Sequence, residues 1–190
     1  EITINPDFGV VILDGITATY TPEENFVGED NFSYIAFDGT YYSEPAEVLI
    51  TIIEVNDSPV SIPIDVITPE DEEIAITLVG GDIESDEMEF EIIEYPSHGE
   101  LSDIYRALGI VEYIPNENYN GFDEFTYRVT DGELYSEPSL VTMEITPIND
   151  PPYVTPDWFI TSEETSLIFT IDFGDIDGDD VELQIIDGPF

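Results

Sequence analysis

"YTPEENFVGEDNFSYIAFDGTYYSEPAEVLITIIEVNDSP" occupies residues 20–59, and "YIPNENYNGFDEFTYRVTDGELYSEPSLVTMEITPINDPP" occupies residues 113–152. The two align without gaps at an offset of 93, with 19 of 40 positions identical. The same offset relates residues 63–97 to 156–190 and brings "GGDIESDEMEFEI" (80–92) onto "FGDIDGDDVELQI" (173–185). A fixed period of this length marks an array of similar units. It divides the chain into the C-terminal part of one module (1–57), a complete module (58–150) and the N-terminal part of a third (151–190). The junctions are "VNDSP" and "INDPP", where Asn-Asp-x-Pro ends one run of strands and begins the next. Each partial module is expected to continue in sequence outside these 190 residues.

Within a module the apolar residues recur with period two. They alternate at Ile74, Ile76 and Leu78, at Met88, Phe90 and Ile92, at Phe125, Tyr127 and Val129, and at Val141, Met143 and Ile145. That is the pattern of half-buried strands, and no stretch sustains a helical period. Turn signals separate the runs: Gly80-Gly81, Pro96 to Gly99, Asn120-Gly121 and Asp131-Gly132. About seven short strands per repeat predict an all-β fold of tandem antiparallel β-sandwich modules of immunoglobulin size, one complete and two partial.

Composition narrows the chemistry. Hydrophobic residues make up 42% of the chain, enough for a real core. Lys+Arg is 2 against Asp+Glu 45, for a net charge of -43, and the two bases are Arg106 and Arg128. Such a chain does not bind nucleic acid through phosphates. Anionic membrane surfaces repel it, and no apolar run is long enough for direct membrane insertion. It suits multivalent cations, high salt or a basic partner. Cysteine is absent, which excludes disulfides and thiolate chemistry. His98, the single histidine, reads as a turn residue without a catalytic partner. Paired carboxylates are everywhere, and none is singled out as a glycosidase acid. No phosphate loop or nucleophile triad is present, so the chain reads as non-catalytic.

The segments "YTPEENFVGEDNFSYIAFDG" and "YIPNENYNGFDEFTYRVTDG", each followed by a strand and then Asn-Asp-x-Pro, resemble the cadherin-like, immunoglobulin-like tandem repeats of large bacterial surface or secreted adhesins. "PSHGEL" at 96–101 looks like that family too. The resemblance spans nearly the whole chain. It implies calcium (Ca2+) at the junctions between modules, held by a linker, an Asp-x-Asp loop, a first-strand Glu and a late-strand Asp. Carried over by residue, the first linker offers Glu54, Asn56 and Asp57, and the second offers Asn149 and Asp150. Pro147 stands where the second linker would have its first carboxylate, so that junction should lose an oxygen ligand. The loop ligands would be Asp82, Glu84 and Asp86, repeated as Asp175, Asp177 and Asp179. Glu70 and Glu163 resemble the first-strand Glu, and Asp38 and Asp131 the late-strand Asp. Glu24 and Glu117 match a looser mid-module acid.

The donor chemistry agrees with a hard cation. Calcium takes 6–8 oxygens at about 2.3–2.6 Å, and carboxylates two residues apart in a loop can curl around one ion. With no Cys and one His, zinc and copper lack ligands. "DIDGDD" is not an EF-hand, because Asp180 falls where the loop Gly belongs and Ile186 where the bidentate Glu belongs. Solvation alone also accounts for carboxylate-rich loops in a chain with 45 acids. Recurrence in register beside Asn-Asp favours the metal reading, except at Glu24 and Glu117.

Asp71, Glu72, Glu73, Glu89 and Glu91 are expected as solvated charge on outer strand faces, and Trp158 as packing in the third module. Asn31-Phe32-Ser33 and Asn56-Asp57-Ser58 match a glycosylation acceptor pattern of little weight. The expected role is a structural and adhesive segment of a secreted or cell-surface protein. Its partners would be neighbouring modules of the same chain, with a cell-surface or matrix ligand reached through other domains. The rival readings are spacer modules of a secreted enzyme whose catalytic domain lies elsewhere, and acid-rich adaptation to salt.

Overall fold

A computed structural model of the chain describes residues 1–84 and 87–186. The chain divides into two compact units, Glu1–Asn56 and Asp57–Phe190. No described residue is helical.

The first unit has five strands: β1 (Ile2–Ile4), β2 (Gly9–Asp14), β3 (Thr17–Pro22), β4 (Gly28–Tyr34) and β5 (Ala46–Ile52). β4 lies between β1 and β5 in one antiparallel sheet, and β2 and β3 form a separate hairpin. Its buried residues are Pro6, between β1 and β2, and Asp30, Phe32 and Ser33 on β4.

The second unit begins with β6 (Val60–Ser61), β7 (Ile64–Pro69), β8 (Ile74–Thr77), β9 (Gly80–Gly81) and β10 (Glu89–Glu94). It continues with β11 (Gly99–Leu101), β12 (Ile110–Pro115), β13 (Gly121–Thr130) and β14 (Ser139–Thr146), then the short β15 (Tyr153–Val154) and β16 (Phe173–Gly174). One sheet has the order β10-β13-β14-β7 and the other β11-β12-β8. The period-two residues of all these strands face inward and meet. Val111, Tyr113, Tyr127, Val129, Val141 and Met143 are fully buried, and Ile76, Leu78, Phe90, Phe125 and Ile145 nearly so. Alternation puts every second side chain on one face, which is why a hydrophobic/polar repeat of two closes a core between two sheets.

Three features differ from the sequence expectation. There are nine strands rather than about seven between residues 58 and 150, because β6 and β9 are two-residue pieces paired with each other. The buried Tyr127 hydroxyl holds them beside the core: it accepts from Ile62 N–H and Val79 N–H at 3.2 Å and lies 2.6 and 2.7 Å from their carbonyl oxygens. Second, the pairing is not wholly antiparallel, since β7 runs parallel to β14 from Ile64↔Val141 to Pro69↔Thr146. Third, Trp158 is not packed but 95% exposed. Between β15 and β16 the chain forms no further strand, so no second sheet covers the indole.

Two expected surface charges also have specific partners. Glu91 accepts from Arg128 Nε and Nη2 at 2.8 and 2.7 Å, and that guanidinium lies 3.9 Å over the Tyr135 ring. Asp71 stands in the left-handed turn after β7 (φ 63°) and accepts the Asn118 N–H at 2.9 Å. Glu72, Glu73 and Glu89 are exposed as expected.

One arrangement is built twice. Asp123, nearly buried on β13, accepts Ser97 N–H, His98 N–H, Glu124 N–H and the Tyr113 hydroxyl, all at 2.9–3.0 Å. Asp30 accepts Asp7 N–H, Phe8 N–H, Asn31 N–H and the Tyr20 hydroxyl at 2.7–3.0 Å. The aromatic lids match: His98 stacks on Tyr119, and Phe8 on Phe26, each at 4.2 Å. Glycine is required at the turn. A Cβ on Gly99 would lie 2.4 Å from the Tyr113 ring and 2.7 Å from the Ile114 carbonyl oxygen. Gly99→Ala is therefore expected to cost about 1–3 kcal/mol through overpacking. Urea midpoints at unchanged slope measure it; an unchanged midpoint would show that the loop simply moves aside.

Candidate metal centre

The parallel pairing of β7 and β14 brings the end of β7 to the linker that follows β14. Glu70 N–H donates to Thr146 O at 2.9 Å, which fixes the residue one step beyond the ladder. Its carboxylate is 1% exposed. Oε1 accepts the Ile148 N–H at 2.8 Å, and Oε2 lies 3.4 Å from the Asn120 amide nitrogen.

Two residues further along the linker, Asp150 N–H donates to Asp177 Oδ2 at 2.6 Å. The Asn149 amide bridges to the Asp150 carbonyl at 3.1 Å. Asp177 is set by its own loop: Asp175 Oδ1 accepts Asp177 N–H at 3.0 Å and Asp179 N–H at 3.4 Å, and Gly178 takes the left-handed conformation (φ 80°). This is an Asx turn, which folds such a loop on local hydrogen bonds alone.

Carboxylate oxygens of Glu70, Asp150 and Asp177 thus lie within 4.8 Å of one another. The second oxygen of Asp150 is buried and has no hydrogen-bond partner among the described residues. Burial, then the charges of Asp177, Asp71, Glu70 and Asp175, push the Asp150 carboxyl above the ordinary carboxylate range. Converging acids around an orphaned oxygen are an arrangement that a cation relieves. Oxygens ligating one calcium are separated by no more than about 5 Å, so the spacing fits that ion. Glu70, Asp150 and Asp177 would hold it, and it would supply positive charge and a cross-link between linker and loop.

The same loop geometry recurs before β10. Asp57 N–H lies 3.4 Å from Glu84 Oε2, and Glu84 N–H donates to Asp82 Oδ1 at 2.9 Å. Asp82 Oδ2 is another buried oxygen without a described partner. Burial, followed by the charges of Asp82 and Asp57, raises the Glu84 carboxyl against the hydrogen bonds that lower it. Asp86 lies outside the described residues. Glu54 and Asn56 belong to the first unit, and Glu54 is exposed.

Other sequence candidates stand apart from the second-linker cluster. Glu117, Glu24 and Glu163 are exposed. Asp131 Oδ1 caps its own turn, accepting Glu133 N–H and Leu134 N–H at 2.7 Å. Asp38 does the same for Thr40 and Tyr41, and those two hydrogen bonds hold its carboxyl below the usual range. Asp179 contributes a backbone N–H to the Asp175 turn. The sequence reading missed Asn120, Asp71 and the Ile148 N–H. The offset of 93 could not flag Asn120, since Val27 occupies the matching position in the earlier repeat.

The fold and the paired linker loops define a chain of tandem, immunoglobulin-like β-sandwich modules, a structural or adhesive kind of domain. The model of the bacterial Ig domain family matches residues 1–51 and 56–144, and the chain belongs to that family. Among solved structures it is similar to Drosophila N-cadherin EC1-4, at 14% identity over 81% of this chain and 43% of that one, with a TM-score of 0.52. Human mucin-like protocadherin EC1-2 matches at 14% identity over 78% of this chain and 84% of that one, at TM-score 0.48. An endo-fucoidan hydrolase of glycoside hydrolase family 107 matches at 17% identity and TM-score 0.41. The chain covers 78% of itself in that match but spans only 23% of the hydrolase. At these identities the likeness concerns the fold alone. No curated protein matches.

Proposed function

We propose that the chain is a segment of an extracellular adhesive array whose junctions bind calcium and are stiffened by it. The observation that carries this reading is the convergence of Glu70, Asp150 and Asp177 beside a buried carboxylate oxygen that has no partner among the described residues. Glu70 directly follows the first long strand of the sandwich, Asp150 lies in the linker, and Asp177 lies in the next repeat's loop. One ion shared by the three makes the linker a fixed joint. Without an ion the same carboxylates repel and the joint is free to bend. The net charge of -43 adds repulsion along the whole array and raises the local concentration of cations. Extracellular calcium near millimolar would fill sites of ~10⁻⁴–10⁻³ M, the range of extracellular modules.

The test compares low-millimolar calcium with chelator in a background of ~0.15 M salt, where long-range repulsion is already screened beyond ~8 Å. Calcium should raise the melting temperature and shift small-angle scattering toward a stiffer, longer particle. Sodium chloride at matched ionic strength should do neither. Identical curves with calcium and chelator would sink the proposal, and an equal response to sodium would favour general salt adaptation.

A further inference from the structure

Asn120-Gly121 is one of the turn signals in the sequence, and the fold sets it beside the cation cluster. It is the chain's one Asn-Gly pair; every other asparagine precedes Pro, Phe, Tyr, Asp or Glu. The fold requires the glycine. Gly121 opens β13 at φ 137°, a conformation that residues with side chains rarely adopt. A Cβ there would also lie 3.1 Å from the Tyr119 hydroxyl. The position before it is not constrained in this way. The earlier repeat has Val27 ahead of Gly28, and Gly28 takes a similar conformation at φ 144°.

Asn120 is exposed and lies outside any strand. Just before it, Tyr119 N–H closes a turn onto Asn116 O at 3.1 Å, with Asn118 left-handed at φ 57°. The Asn120 amide nitrogen lies 3.4 Å from Oε2 of the buried Glu70. Glu70 is in turn one of the three acids whose carboxylate oxygens gather within 4.8 Å. An asparagine followed by glycine is chemically labile. The backbone nitrogen of the following residue can attack the side-chain carbonyl carbon, and a side chain on that residue obstructs the approach. Glycine has none.

We infer that Asn120 is a self-modification site, whose conversion to an acid adds a fourth carboxylate to the cluster of Glu70, Asp150 and Asp177; its consequence for calcium rests on the function proposed above. The Gly121 nitrogen bonds to the Asn120 side-chain carbon and closes a succinimide ring. The side-chain nitrogen leaves as ammonia, taking the proton that Gly121 N–H gives up. Water then opens the ring at either carbonyl, giving aspartate or isoaspartate, and in both the released carboxyl ionises. An amide donor facing Glu70 thus becomes an anion. Without a cation it repels Glu70 at close range. With calcium it is a further charged oxygen ligand, and the number of charged ligands sets calcium affinity. The linker of an aged module therefore depends more on its ion than the linker of a fresh one.

The test compares fresh chain with chain aged in warm, mildly alkaline, calcium-free buffer, and with Asn120→Asp and Asn120→Gln. Peptide mapping by mass spectrometry should find the amide lost at position 120, as aspartate and isoaspartate together, with the other asparagines intact. Asn120→Gln should stay unconverted, because the longer side chain must close a larger ring. In chelator, the aged chain and Asn120→Asp should melt below the fresh parent. In calorimetric titration, Asn120→Asp should bind calcium at least about tenfold more tightly than the fresh parent. An aged chain that keeps its amide at 120, or loses amides equally at every asparagine, overturns the inference. So does an Asn120→Asp chain that matches the parent in both chelator melting and calcium binding. If neither chain binds calcium while position 120 converts and melting in chelator falls, the calcium reading fails and the modification stands.

Discussion

Asp123→Ala is expected to cost about 3–5 kcal/mol, the largest loss from any single polar substitution in the complete sandwich. Three backbone N–H groups and the Tyr113 hydroxyl converge on this carboxylate, and truncation leaves them with no acceptor in a buried site. Hydrogen bonds to charged groups contribute about 1.5–3 kcal/mol each, and orphaned donors lose their desolvation cost as well. For a domain of this size that is a fall of roughly 15–30 °C in melting temperature. The pH dependence follows from the same contacts. Burial works to raise the Asp123 carboxyl, but the hydrogen bonds from Ser97, His98, Tyr113 and Glu124 outweigh it and hold the group below the usual range. A depressed folded value means that its stabilisation is complete above the unfolded carboxylate value of about 3.9 and is lost as pH falls through the lower folded value. Asp123→Asn should therefore flatten part of the acid limb of the stability curve. Thermal melts between pH 2 and 7 measure both effects, and a loss below ~1 kcal/mol for the alanine variant would show the carboxylate to be dispensable.

Asp150→Asn should reverse its effect according to the cation. In chelator the variant should melt at or above the parent temperature, because the substitution removes one of several like charges that crowd a buried oxygen. In calcium it should melt below the parent, having lost a charged ligand. The parent gains on the order of 5–10 °C when calcium is tenfold above its dissociation constant, and the variant should lose most of that gain. Glu117→Gln is the control: this acid is exposed and stands outside the cluster, so its calcium response should match the parent. Parallel melting shifts for Asp150→Asn in calcium and chelator would remove Asp150 from the site.

The strands and the inward faces were legible in the amino-acid pattern because burial alternates with the side chains themselves. Phe125, Tyr127 and Val129 alternate in sequence and lie side by side in the core. The linker and its loop were legible because they repeat in register: Asp150 N–H to Asp177 and Asp57 N–H to Glu84 are the same contact 93 residues apart. Strand direction was not, since an alternating run reads alike in either sense, and the parallel β7–β14 pair had no signal of its own. Backbone donors were equally silent. Nothing in the residue types says that Ile148 N–H caps Glu70, or that Tyr127 reaches the backbone of Ile62 and Val79. The Asx turns at Asp38 and Asp131 explain two acids that looked only like ligands, because Asp is as useful to a tight turn as to an ion.

The parallel pair of β7 and β14 has a mechanical consequence. β7 is the first strand of the four-stranded sheet in chain order and β14 the last, and these strands lie side by side over six paired positions. Tension applied to the two ends drags the strands lengthwise past each other in shear. The evenly spaced bonds of a parallel ladder then share the load and must fail together, whereas an antiparallel pair held at its ends would peel open one bond at a time. Forced opening is governed by the unfolding rate rather than by equilibrium stability. This pairing is the strand geometry that resists pull along the module's length in shear.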